Sequence, residues 1–499
     1  MQSHTGHLPA DTVIQSTFDP RHLSRKTVAV VLAGGKGTRL GALTRHECKP
    51  ALPFGAFYRN IDFSLSNCVN SGIHRIGVAT QYQDASLIQH LSRVWRHAGE
   101  RGEGFVEPWR AQRLTRGGSY RGTADAVLQN WDRIEVLGAE WLLVLAGDHV
   151  YQMDYRPMLA CHAASGADVT VGCVEIPIGT ASEFGVMSID DARRVVRFTE
   201  KPSCPQSLPG RPDRALGSMG IYVFNRRLLA RLLRQDALAP FSSHDFGHDL
   251  LPGLIGQARV IAYPFTRDAT VGGGYWRDVG TIAAYWRAHM ELLDGISGFQ
   301  LDDARWPLRS EQQPAPTPPA NEGSVLPAGN ITQSLVAGGC RIEGATVHHS
   351  VLFGNVSIAE HSDLSNAVVC PDAVIGRYCT LRDVIVASGV RIPDGTTILP
   401  ALHPAGVETP TLVTAEMYST GDSGKHDRKL RGRAGRWGSG QQRFSAIRAA
   451  RSRKHPSFHC ISRMVAADSS MLHKRFEHHG MHKHAKLEGR DHVREKISG

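Results

Sequence analysis

Gly34, Gly35 and Gly37 stand in LAGGKGTRL (Leu32–Leu40), directly after an apolar run. A glycine-rich turn in that position lets backbone N–H groups curl around phosphate oxygens, and Lys36 and Arg39 add cationic charge beside it. The spacing is neither that of a P-loop nor that of a dinucleotide fingerprint. A tight strand-to-helix turn with surface charges is the competing reading. Ten residues on, HECKPALPFG (His46–Gly55) holds Lys49 in a segment stiffened by two prolines, able to present an ammonium to the same phosphates at low entropic cost. LAGDHVY (Leu145–Tyr151) closes a second apolar run on Asp148, and YWRDVGT (Tyr275–Thr281) offers another carboxylate, Asp278. Carboxylates beside a phosphate turn suit Mg2+, which binds through one or two of them plus substrate phosphates. For Asp148 a plain turn aspartate, and for Asp278 a helix N-cap, are the alternatives. FTEKP (Phe198–Pro202) sets Glu200 and Lys201 together, lysine for a compact monoester phosphate and glutamate for a sugar hydroxyl, against a plain surface ion pair.

Those residues need elements to hold them. VAVVLAGG (Val28–Gly35), RIGVAT (Arg75–Thr80), WLLVLAGD (Trp141–Asp148), DVTVGCVEI (Asp168–Ile176), GIYVF (Gly220–Phe224) and ARVIAYPF (Ala258–Phe265) read as strands. Helical stretches at Ser64–Ser71, Ala85–Arg96, Thr123–Leu137, Tyr155–Ser165 and Thr281–Leu293 alternate with them. Continuous apolar strands separated by helices imply an α/β doubly wound, mostly parallel sheet. Its ligands bind beyond the carboxyl ends of the strands, where Gly34–Arg39 and Asp148 fall.

The proline-rich stretch QQPAPTPPANEGS, between Glu311 and Ser324, reads as a linker. Beyond it aliphatic residues recur at steps of six with occasional fives, as in Val369, Ile375 and Leu381, then Val386, Ile392 and Ile398. A hexapeptide rhythm marks a parallel β-helix, with a small β-sandwich as the alternative. The expected organisation is an N-terminal arm (1–26), a catalytic domain (27–299), a linker (300–325), a β-helix domain (326–416) and a basic tail (417–499).

The net charge of +10 belongs to that tail. It carries 19 Lys/Arg against 7 Asp/Glu, whereas the rest has 38 against 40, so the charge says nothing about nucleic acid binding by the folded body. The tail lacks a sustained period, which predicts disorder, and its few aromatics give nucleic acid little to stack on. Its cluster HHGMHKH (His478–His484) has ligand chemistry for adventitious metal only. Nine scattered cysteines without a CxxC pair argue against a zinc or disulfide framework. No apolar run reaches the ~18 residues of a membrane span, and the first 26 residues lack a signal-peptide core. The expected place is the cytoplasm.

In order along the chain, GGKGTRL, KPALPFG, YRGTADAV (Tyr120–Val127), LAGDHVY, EFGVM (Glu183–Met187), EKP, SMGIYVF (Ser218–Phe224), SHDFG (Ser243–Gly247) and YWRDVGT resemble the bacterial glucose-1-phosphate adenylyltransferases. The resemblance runs from about Val28 to Glu416. It implies a left-handed β-helix, Mg2+, a homotetramer, and ATP and glucose 1-phosphate as substrates for ADP-glucose synthesis. It places Gly34, Gly35, Gly37, Tyr120 and Gly122 on the nucleotide, Arg39 and Lys49 on the triphosphate, and Asp148 and Asp278 on the metal. Gly185, Glu200, Lys201, Ser218, Tyr222, Asp245 and Trp276 would take glucose 1-phosphate. UTP or GTP as donor, or a catalytically weak regulatory subunit, are the competing readings. Positions near the lysine that are basic in other members, where phosphorylated effectors act, hold His46 and Glu47 here, and Phe57 replaces another, although Arg59 remains. Weak or differently tuned activation by such effectors is the expectation.

Overall fold

Apolar residues of both alternations along the first strands leave no face for water, and the chain covers both. The computed structural model describes residues 19–96, 104–111, 119–266, 274–295, 299–311, 330–402 and 408–418. The arm up to residue 18, the linker between 312 and 325 and the tail from 419 lie outside the described residues. All described residues fall in one compact unit.

A nine-stranded sheet organises the first half. Its strands are β1 (Thr27–Ala33), β2 (Arg75–Thr80), β3 (Phe105–Arg110), β4 (Trp141–Ala146), β5 (Val169–Pro177), β6 (Gly185–Ile189), β7 (Val195–Glu200), β8 (Arg214–Asn225) and β9 (Val260–Pro264). The order is β7-β6-β8-β4-β1-β2-β3, with β5 and then β9 on the other edge of β8. Strands β4, β1, β2 and β3 run parallel, and β9 is parallel to β5. The long β8 runs antiparallel to its neighbours, a reversal that its short apolar core GIYVF did not signal.

Around the sheet lie α1 (Pro20–Arg25), α2 (Asn60–Asn70), α3 (Ala85–His90), α4 (Thr123–Leu128), α5 (Trp131–Val136), α6 (Arg156–Ser165), α7 (Arg226–Ala237), α8 (Leu251–Leu254) and α9 (Ile282–Asp294). One face buries Ala29, Val31, Leu143 and Leu145 against Leu23, Ile61, Leu65, Leu87 and Leu159 of α1, α2, α3 and α6. The opposite face buries Val30, Leu142 and Val144 against Ala124, Val127, Ile134, Leu229 and Leu233 of α4, α5 and α7. The sheet is therefore doubly covered, as the α/β reading expected. Two expected helices are interrupted: Ala85–Arg96 passes into a wider turn at Leu91–Trp95, and Thr123–Leu137 breaks between Leu128 and Trp131.

Residues 330–398 wind into a parallel β-helix, on which Thr411–Val413 adds a parallel strand beside Val384–Val386. Within 330–398 the strand partners are 16 or 17 residues apart, as in Asn330↔Thr346, Thr346↔Asp363 and Asp363↔Thr380. Three steps of six give that coil, with one shortened to five for 17 residues and two for 16. Each corner requires left-handed backbone, and the residues there stack in columns: Gln333, His349, Asn366 and Asp383; Gly339, Asn355, Asp372 and Gly389; Gly344, His361, Tyr378 and Gly395. Asn, Asp and Gly dominate because they adopt positive φ at least cost. Their amides also bond along the column, Asn366 Nδ2 to Asp383 Oδ1 at 2.8 Å and Asn355 Nδ2 to Asp372 Oδ1 at 3.1 Å. α9 joins the two halves. Trp286 Nε1 donates to Asn366 O (2.8 Å), and Tyr285 and Ala288 share an apolar cluster with Phe353, Val368 and Ile385.

Candidate active site

β1 and β4 are neighbours in parallel register, Leu32 opposite Ala146, so the segments that follow them emerge at the same rim. Gly147 N donates to Leu32 O (3.0 Å), which ties the two exits together. The glycine turn then bends at Gly37, whose φ of 61° favours glycine, and Thr44 Oγ1 donates to its carbonyl at 2.9 Å. Gln81, just past the end of β2, donates through Nε2 to Gly34 O and accepts Tyr120 N through Oε1, both at 2.8 Å. A Cβ at position 34 would meet Gln81 Nε2 at 2.8 Å, so glycine is needed for that approach. Between these segments opens a cavity of about 580 Å³ whose wall includes Gly34, Gly35, Gln81, Tyr120, Gly122, Asp148, Glu200, Tyr222 and Asp245. That volume lies within the range of small-molecule sites.

Beside the cavity Lys49, only 6% exposed, bridges two carboxylates. Its Nζ lies 2.7 Å from Asp148 Oδ2 and 2.6 Å from Asp278 Oδ1. Asn60 Nδ2 donates to Lys49 O (3.0 Å), anchoring the short turn Lys49–Ala51 to the start of α2. Asp278 is delivered by the strand Trp276–Asp278, which pairs antiparallel with His149–Tyr151 and sets Asp278 opposite His149. It does not cap α9. Thr281 does, its Oγ1 accepting Ala284 N at 3.1 Å. Burial alone would raise the Asp148 carboxyl, but the Lys49 charge, then His149, outweighs it and holds it at about 2. Burial likewise works against the Lys49 ammonium, and the two carboxylates overcome it, so its pKa is raised. Arg39 stands next to this cluster, 3.8 Å from Asp278 Oδ2 and 3.2 Å from Glu183 Oε2.

The other wall comes from β7, β8 and the Ser243–Gly247 loop. Lys201 Nζ meets Glu200 Oε1 at 2.9 Å and is 61% exposed, so the ion pair expected as the bland reading is present at the cavity rim. A Cβ at Gly185 or Gly247 would come within 2.8 and 2.5 Å of Glu200 Oε2. A register shift between Ser218 and Ile221 bulges β8, with Gly220 at φ 67°, and turns Ser218 Oγ toward Tyr222 OH (3.2 Å). Thr123 Oγ1 donates to Asp245 Oδ2 (2.9 Å) and accepts Phe246 N (3.0 Å), while Asp245 Oδ1 accepts Gly247 N and His248 N. Gly122 lies under that loop, where a Cβ would meet His244 O and Ser243 O at 2.3 Å.

The structure therefore brings most of the expected residues to one cleft. Trp276 is placed differently. It is 5% exposed, packed between His149 and Phe184 at ring distances of 5.0 and 5.6 Å, and supports the cavity from behind Asp148 rather than lining it. His46 is exposed, and Arg59 donates through Nη1 to Ala51 O at 3.3 Å. Their segment reaches the β-helix domain through an Arg45–Glu416 ion pair. Sequence reasoning missed Gln81 and Thr123. The first follows the carboxyl end of a strand next to β1, a position that marks ligand contact in such sheets. The second stands within YRGTADAV, a motif that was quoted without its threonine being singled out.

Asp148 and Asp278 face one cation from two sides and remain partly accessible, 29% and 17%. Two hard carboxylates with an open side fit a small divalent ion that completes its shell with water and phosphate oxygens. Among the described residues no cluster of three or more His, Cys, Asp or Glu forms a closed metal cage.

The nucleotidyl transferase family matches residues 28–295, and the GlmU-like C-terminal hexapeptide family matches 318–400. A glucose-1-phosphate adenylyltransferase of Methylobacillus flagellatus is 50% identical over 75% of this chain and 89% of its own length. Glucose-1-phosphate adenylyltransferase 2 of Alkalilimnicola ehrlichii is 50% identical over 77% of the chain and 92% of its own. The enzyme of that name from Paramagnetospirillum magneticum is 48% identical over 75% and 88%.

Proposed function

The chain belongs to the nucleotidyl transferase family, among the glucose-1-phosphate adenylyltransferases, and on that premise we propose the residues that perform the transfer. The enzyme transfers the adenylyl group of ATP to α-D-glucose 1-phosphate, giving ADP-glucose, the glucosyl donor for α-glucan synthesis, and pyrophosphate. A phosphate oxygen of the sugar attacks the α-phosphorus of ATP. One P–O bond forms, the bond to the β-phosphate oxygen breaks, and pyrophosphate leaves with its electron pair. The nucleophile is already an anion, so no general base is needed. The difficulty is holding two anions together, and positioning and charge neutralisation dominate.

The observation that carries the assignment is the Asp148–Lys49–Asp278 bridge beside the cavity, which reaches its wall through Asp148, in company with Gly34, Gly35 and Glu200. Gly34, Gly35 and Gly37 offer backbone N–H groups to the triphosphate, with Tyr120 and Gly122 beside the nucleotide. Lys49 has three N–H donors, of which two go to carboxylates and one remains for phosphate. Arg39 approaches from the Asp278 side. Across the cavity Lys201 takes the sugar phosphate, while Gly185, Glu200, Ser218, Tyr222 and Asp245 shape the glucose pocket and Trp276 backs it. Asp148 and Asp278 hold a divalent cation, most simply Mg2+, which when bound neutralises phosphate charge.

The family resemblance also supports a homotetramer in the cytoplasm, with phosphorylated metabolites acting weakly near His46 and Arg59. Among the described residues no helix is long and apolar enough to cross a membrane. The test is pyrophosphate release from glucose 1-phosphate with ATP, UTP, GTP or dTTP, each with and without Mg2+. The expected result is activity with ATP that needs the metal. Preference for another nucleotide, or full activity in chelator, would overturn the assignment.

A further inference from the structure

Gly122, which has no side chain to offer, caps α4, and the hydroxyl of Thr123 turns away from its own helix to the Ser243–Gly247 loop. Its oxygen accepts Phe246 N at 3.0 Å and donates to Asp245 Oδ2 at 2.9 Å. A hydroxyl carries one proton, and with a backbone N–H already facing the oxygen, that proton is committed to the carboxylate. The residues on either side of Thr123 hold the same loop. Ala124 N donates to His244 O at 2.8 Å, and a Cβ on Gly122 would meet His244 O and Ser243 O at 2.3 Å. His244 itself has a φ of 57°, a conformation that costs energy in a non-glycine residue and persists where its surroundings fix it. Its ring bonds Asp236 at 2.7 Å.

Asp245 lines the catalytic cavity with little left to offer a ligand. Its Oδ1 is filled by Gly247 N at 2.9 Å and His248 N at 3.0 Å, which start the turn that follows. Its Oδ2 takes the Thr123 proton and keeps one acceptor position. A sugar hydroxyl entering the cavity therefore meets Asp245 through the oxygen that Thr123 aims. We infer that Thr123 is a positioning residue for glucose 1-phosphate: it fixes the direction of the one acceptor that Asp245 presents, while its own proton stays off the sugar. This rests on the assignment of the wall at Glu200, Tyr222 and Asp245 to glucose. Without the hydroxyl, Phe246 N loses its partner and Oδ2 loses its donor. The loop then samples more orientations, and the cost of ordering it falls on sugar binding.

The test is steady-state pyrophosphate release by the full chain, with ATP and glucose 1-phosphate varied in turn. Thr123→Val and Thr123→Ala remove the hydroxyl with and without its shape replaced, Thr123→Ser keeps it, and Asp245→Asn keeps the oxygen that starts the turn. KM does not depend on how much of a sample is folded. The expected result is a KM for glucose 1-phosphate raised roughly tenfold or more in Thr123→Val, Thr123→Ala and Asp245→Asn, with KM for ATP within about twofold and Thr123→Ser within about threefold of wild type. Thr123→Val/Asp245→Asn should lie within about threefold of Asp245→Asn alone, because Thr123 acts through Asp245. An unchanged KM for glucose 1-phosphate in Thr123→Val and Thr123→Ala, beside a raised one in Asp245→Asn, would overturn the inference and leave the pocket assignment standing. An unchanged KM in Asp245→Asn would remove the pocket assignment and the inference with it. Equal rises for both substrates, or effects that multiply in full in the double variant, would also overturn it, since the hydroxyl would then serve the helix or the nucleotide.

Discussion

Replacing Asp148 by asparagine removes one of the two charges that grip Lys49 and keeps the shape of the side chain. The carboxyl is held at about 2, against an ordinary 3.8. At ~1.4 kcal/mol per unit, that difference limits the stability contributed by its charge to roughly 2–3 kcal/mol. The sign follows from the lowered value. The contribution is fully present above pH 3.8 and is lost as pH falls through 2, so at neutral pH the asparagine variant forfeits nearly all of it. Asp278 still pairs with Lys49, which limits the loss further. The fold should survive, with an unfolding free energy lower by roughly 1–3 kcal/mol in urea. Turnover should fall far more, on the order of 10²–10³-fold or beyond, because the carboxylate is assigned to the metal and phosphates. The assay is pyrophosphate release at saturating ATP and glucose 1-phosphate, on protein shown by circular dichroism to be folded. Wild-type turnover would refute the assigned role. A rate loss that merely tracks the unfolded fraction would refute it equally.

Two further perturbations probe the supports. His162 and His289 are buried and held neutral, both lowered by burial from 6.5 to about 4, and each is satisfied as a neutral ring: His289 donates to Tyr285 O and accepts Gly55 N, while His162 bonds Thr170 and Asn225. The unfolded chain takes up protons that the folded one refuses, so stability is full above pH 6.5 and falls toward pH 4, by about 2 kcal/mol per histidine at pH 5; urea melts equal at pH 7.5 and pH 5 would contradict this. Gly122→Ala would drive a Cβ into two loop carbonyls and displace the segment carrying Asp245, so KM for glucose 1-phosphate should rise at least tenfold at a stability cost of about 1–3 kcal/mol. An unchanged KM would show that the loop position does not matter.

The parts legible in the sequence were those with strong local signals. The glycine turn and Asp148 sit at the ends of long apolar runs, and parallel strands put such ends at one rim, so their meeting followed from the pattern. The 16–17-residue coil followed from the hexapeptide rhythm. Other features depend on contacts between distant segments. The direction of β8 is set by its pairing with β4 and β5, and its bulge at Ser218 has no composition of its own. α7, rich in arginine and leucine, was not singled out at all. Trp276 was expected in the glucose pocket from the family resemblance, yet its ring packs between His149 and Phe184. The N-cap question at Asp278 had a nearer answer in Thr281, three residues on.

The central claim is that cations on opposite sides of one cleft neutralise two phosphates that repel each other. It is tested most directly by steady-state kinetics of Lys201→Gln, varying ATP and glucose 1-phosphate in turn. Lys201 is 61% exposed and contributes little to packing, so folding is not at issue. The account predicts a KM for glucose 1-phosphate raised by one to two orders of magnitude, the range of a charge-assisted hydrogen bond of about 1.5–3 kcal/mol, with KM for ATP within about twofold. An unchanged KM for glucose 1-phosphate, or an equal rise for both substrates, would contradict it.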